Sequence, residues 1–133
     1  MSSKISVEYI GDLRTESTHI DSGDKIITDA PVDNNGLGRK FSPTDLVASA
    51  LGSCLLTIMG IVAKRHNINL LGSNIDITKE MKINPRRISK LIVNIKLKGD
   101  FKNKELSIIK KAAQHCPVHN SLNDKIKVLI NFI

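Results

Sequence analysis

At 133 residues, with 41% apolar and 25% charged positions, the chain is too apolar to be a disordered segment and has the size of one domain spanning residues 1–133. Two cysteines are too few for a secreted disulfide scaffold. Met1–Gly11 has neither the apolar stretch nor the cleavage pattern of a signal peptide, so a cytoplasmic, reducing setting is expected. The net charge is +7, and eleven of the twenty Lys and Arg lie between Lys79 and Lys111. Without arginine–aromatic interleaving or a nucleic-acid-binding motif, this reads as a solvated lysine face and speaks against nucleic acid as a partner.

Ile5, Val7 and Tyr9 alternate toward a turn at Gly11-Asp12, a second run leads to Ser22-Gly23-Asp24, and Lys25–Thr28 reads as a third short strand. Asp33–Gly38 is a loop of residues that tolerate positive φ. Ser42-Pro43-Thr44-Asp45 is a helix start: Ser42 caps, Pro43 takes the first helical position, and Asp45 closes a capping box near the positive end of the helix dipole. The helix should run to about Arg65, roughly 30 Å, with Lys64, Arg65 and His66 at its negative end.

Leu46–Ala63 carries no charge and is long enough to cross a bilayer, but Ser49, Gly52, Ser53, Thr57 and Gly60 interrupt it and no aromatic belt flanks it. It is read as the central helix of a soluble protein, covered by a sheet or a second subunit, with no membrane as partner. Asn74–Ile83 and Lys90–Lys98 then alternate as strands joined by a loop at Asn84–Arg87, with Leu91, Val93, Ile95 and Leu97 on one face. Lys104–His115 is an amphipathic helix that Pro117 ends. A short helix can follow from Pro117 to Leu122, and Ile126–Phe132 closes the chain as a strand. With only Tyr9, Phe41, Phe101 and Phe132 as aromatics, the core has to be aliphatic.

The chemistry in this pattern lies in Cys54 and Cys116, 62 positions apart. Cys116 stands where it can cap a helix opened by Pro117. Unpaired N–H groups and the dipole lower a thiol pKa there, so Cys116 is expected to be the more acidic thiol, with His115 and His119 adding charge nearby. Cys54 lies too deep in its helix for the dipole and needs a cation from elsewhere. Arg14 and Arg39 are the candidates, since the other arginines sit at a helix end or in the hairpin turn. A buried free cysteine also serves as a small apolar residue. His115, Cys116 and His119 supply zinc-type ligands but match no closed zinc motif, so neither metal nor cofactor is expected.

Ser42–Cys54 (SPTDLVASALGSC) resembles the first cysteine motif of the OsmC/Ohr family of organic hydroperoxide reductases, and Ala112–His119 (AAQHCPVH) resembles the second, which ends in Cys-Pro-Val. The resemblance implies an α+β fold, antiparallel sheets around a long central apolar helix, and an intertwined homodimer. It further implies a thiol peroxidase for organic hydroperoxides in which Cys54 is peroxidatic and Cys116 resolving, reopened by a dithiol reductant, lipoyl-type in Ohr relatives. In the Ohr branch a glutamate directly follows the proline of the first motif. Thr44 stands there in this chain, with the carboxylate of Asp45 one residue later. The competing expectation is a non-catalytic module of the same fold that binds a small ligand or partner.

Overall fold

The computed structural model describes all 133 residues, which group into two compact units, Met1–Leu46 and Val47–Ile133. In the first, β1 (Ile5–Gly11), β2 (Arg14–His19) and β3 (Lys25–Asp29) form an antiparallel meander in the order β1-β2-β3. Register assigns its faces. Tyr9 pairs with Thr15 and Thr15 with Thr28, so Ile5, Val7, Tyr9 and Ile26 share the apolar face, while Glu8, Glu16, Arg14 and Asp29 lie on the other. The Gly11–Arg14 connection bends through positive φ at Gly11, Asp12 and Leu13.

The helix α1 spans Pro43–Arg65, beginning where the capping signals place it. The Asp45 N–H donates to Ser42 Oγ at 3.1 Å and the Ser42 N–H donates to Asp45 Oδ2 at 2.9 Å, a reciprocal capping box. Length and composition alone would let α1 cross a membrane. Instead its stripe Leu51, Leu55, Met59 and Ala63 is buried in the core of the second unit with Leu91, Val93 and Ile95 of β5 and with Ile109 and Ala112 of α2. Gly52 allows the helix close to the sheet: a Cβ there would stand 2.9 Å from Ile77 Cδ1. The opposite face, Ser49, Ala50, Ser53, Thr57 and Ile61, is exposed in the single chain.

The second sheet is ordered β4-β5-β6, with β4 at Asn74–Lys82, β5 at Arg87–Lys96 and β6 at Lys127–Phe132. The antiparallel pairing expected holds in the first sheet and in the β4–β5 hairpin, and the remaining pairing departs from it. β4 and β5 form an antiparallel hairpin, but β6 runs parallel to β5, pairing Leu91 with Val128 and Ile95 with Phe132. The reason is the connection, because α2 (Asn103–Ala112), a 3-10 turn and α3 (Pro117–Ser121) carry the chain back across the sheet before β6 begins. Ser89 is an extra residue in β5, since Glu80 pairs with Lys90 and Met81 with Ile88. Its hydroxyl donates to the Glu80 carbonyl at 3.0 Å, and the bulge turns both Ile88 and Leu91 into the core.

Candidate functional site

The two cysteines meet within the second unit. Cys54, halfway along α1, is half-buried, and Cys116, where the 3-10 turn gives way to α3, is fully buried. Both are free thiols, Cys54 packs against the same core cluster that contains Cys116, and Cys54 is near enough to raise the Cys116 pKa. Local sequence explains how Cys116 is held. Pro117 forces it into extended backbone (φ −73°, ψ 114°) and occupies the first position of α3, leaving the sulfur to cap the helix by accepting the His119 N–H at 3.4 Å.

The cap forms as the sequence indicates, but the acidity expected from it does not. The Cys116 pKa is raised above the ordinary thiol value. Burial is the largest cause, followed by the hydrogen bond with Cys54, and the charge of a Cys54 thiolate adds to both. The N–H groups of His119 and Val118 pull the other way and lose. A five-residue helix has little dipole to offer against desolvation. Cys116 is therefore a neutral thiol at physiological pH. In a Cys54→Ala variant two causes of the rise vanish while burial stays. The midpoint pH for iodoacetamide alkylation of Cys116 should then fall by comparison with its value beside an intact Cys54, yet remain above that of an exposed thiol. An unchanged midpoint would break the link between the sulfurs.

The other expected site residues belong to the first unit. Arg39 is fully engaged: its Nε donates to Asp29 Oδ2 at 2.7 Å, its Nη2 donates to Asp12 Oδ2 at 3.1 Å, and its backbone N–H donates to Asp29 Oδ2 at 2.9 Å. These bonds hold Asp29 well below the usual carboxylate range, at about 2, with Arg14 adding charge. Asp29, whose side chain is 1% exposed, faces Arg14 across the β2–β3 ladder. The sequence reading missed it, and the only signal was a carboxylate ending a short strand centred on Ile26 and Ile27. Arg14 differs from Arg39, because its Nε is buried and has no hydrogen-bond partner. Asp45 serves the start of α1 through its bond from Ser42. No three His, Cys, Asp or Glu side chains converge to hold a metal, and His115 is exposed.

The architecture has close counterparts. A Psychrobacter arcticus protein named for the osmotic stress induced and detoxification response is 42% identical over the whole of this chain and 96% of its own, with a TM-score of 0.91. The organic hydroperoxide resistance protein OsmC of Legionella pneumophila, 17% identical, superposes over 99% of this chain and 96% of its own with a TM-score of 0.78. The organic hydroperoxide resistance protein OhrB of Bacillus subtilis, also 17% identical, does so over 100% and 98% with a TM-score of 0.72. At that identity the last two share the fold. No curated protein matches the sequence significantly. The family model for OsmC-like proteins matches residues 35–131, which include both cysteine motifs and the elements that bring them together. This chain belongs to the OsmC-like protein family.

Proposed function

We propose that the protein is a cysteine-based hydroperoxide reductase acting on organic hydroperoxides. The observation that carries this reading is the convergence of Cys54 and Cys116, two thiols distant in sequence, on one core cluster where each senses the other. The Cys54 thiolate attacks the terminal oxygen of the hydroperoxide and the O–O bond breaks. The alkoxide leaves and takes up a proton to become the alcohol, and sulfur, oxidised by two electrons, becomes a sulfenic acid. Cys116 condenses with it, forming the disulfide and releasing water. A raised pKa suits that second role, since Cys116 keeps its proton until the hydroxide it displaces can accept it. A dithiol reductant then reopens the bridge, which calls for a reducing compartment, the cytoplasm.

Of the two arginines expected to serve a thiolate, Arg14 is the one whose Nε is uncommitted, whereas the Arg39 guanidinium is bound to two carboxylates. Asp45 is assigned to anchoring the helix that carries Cys54. The assembly is proposed to be a homodimer. The exposed apolar face of β1–β3 (Ile5, Val7, Tyr9, Ile26) and the small-residue side of α1 support this, and nothing lies within 4 Å of a Cβ placed on Gly60. Such aliphatic surface favours an organic hydroperoxide over hydrogen peroxide.

Stoichiometric cumene hydroperoxide tests the reading. It should consume both thiols of each chain, counted by thiol titration, with dihydrolipoamide restoring them. Two intact thiols after treatment would instead favour a ligand-binding module of the same fold.

A further inference from the structure

The excess positive charge is not spread evenly. Val47–Ile133 holds fifteen Lys and Arg against five Asp and Glu, and topology gathers several of them at one end of the β4-β5-β6 sheet. Lys82 sits directly opposite Arg87 across the β4–β5 ladder, and Lys90 directly opposite Lys127 across β5–β6. The Ser89 bulge places Arg87 and Lys90 on the same face, and the parallel run of β6 brings Lys127 to the end where the hairpin turns. Like charges placed opposite one another destabilise a sheet. Among the four, Lys90 bridges to Glu80 at 3.7 Å. At the tip of the hairpin, next to Lys82, Ile83 is 72% exposed, a bare aliphatic side chain amid cations.

A cationic face with an aliphatic tip and no aromatic side chain is unsuited to stacking bases, and it complements a surface that is anionic outside and apolar just beneath. We propose that this end of the sheet docks on an anionic lipid bilayer, with Ile83 entering the headgroup–acyl boundary and Lys82, Arg87, Lys90 and Lys127 lying on the headgroups. This is attachment to the bilayer surface, distinct from the spanning role that the packing of α1 argues against. The use of such docking, access to hydroperoxides formed on acyl chains, rests on the function proposed above. The binding itself does not, so the two can fail separately.

The test is co-sedimentation of the intact protein with phosphatidylcholine vesicles, with and without phosphatidylserine, at low and high salt. Binding should require phosphatidylserine and weaken as salt rises. Replacing Lys82 and Lys127 by Gln should lower the affinity about fivefold per cation removed, and Ile83→Asp should lower it by a similar factor or more. Circular dichroism and the Cys54 alkylation rate should match the parent in all three variants. Absence of binding to phosphatidylserine vesicles at low salt would overturn the proposal. So would binding indifferent to Ile83→Asp and equally matched by duplex DNA, the signature of a general polyanion surface.

Discussion

Cys54→Ser should abolish turnover of an organic hydroperoxide, lowering it about a thousandfold or more, because the serine hydroxyl is not ionised at neutral pH and cannot carry a sulfenic acid. Cys116→Ser should behave differently. With Cys54 still present, one equivalent of peroxide is consumed rapidly, and catalysis then stalls with sulfur held as the sulfenic acid, which dimedone labels and mass spectrometry locates. The asymmetry follows from the raised pKa of Cys116: a neutral, fully buried thiol is a poor first nucleophile but is already in place for the second step. The reverse pattern, a trapped sulfenic acid on Cys116 in the Cys54→Ser protein, would exchange the two roles. Rapid alkylation of both residues at pH 7 would contradict the burial that underlies them.

Leu55→Ala should cost about 3 kcal/mol and lower the thermal midpoint by roughly 10 °C, a large share of the stability of a domain this size. Leu55 is fully buried at the centre of the α1 stripe, one residue from Cys54, and its loss leaves a void against β5 and α2 that neighbouring side chains cannot close. Differential scanning calorimetry measures the cost. Ile61→Ala, on the exposed side of the same helix, is the control. It should lower the midpoint by less than about a third as much at high dilution, and by more at concentrations that favour the proposed dimer. A loss at Leu55 no greater than at Ile61 under dilute conditions would mean that α1 does not pack as described.

Local signals carried much of the fold. The Ser42–Asp45 box set the start of α1, and alternation placed the strands to within a few residues, since capping and period-two burial are decided by neighbours. The direction of β6 was not legible, because Val128, Ile130 and Phe132 alternate identically in a parallel or an antiparallel partner. The Ser89 bulge escaped notice for a similar reason: it is defined only against Glu80 and Met81 on the other strand. Both cysteines, both arginines and Asp45 stand out in the sequence by motif and charge, but their states do not. Arg39 and Arg14 look alike as residue types, and only the fold shows that Asp29 and Asp12 bind one and leave the Nε of the other bare. The cap argument for Cys116 weighed a nearby dipole and missed the burial and the second sulfur that outweigh it.

The parallel pairing of β6 with β5 also fixes a sequence of events in time. A hairpin such as β4–β5 can close from neighbouring residues alone, but the strand that completes that sheet follows only after α2 and α3. The segment bearing Cys116 lies between them and is held at both ends only once β6 pairs with β5. A folding chain thus carries two separated thiols until that pairing is made, and the two cysteines come together late.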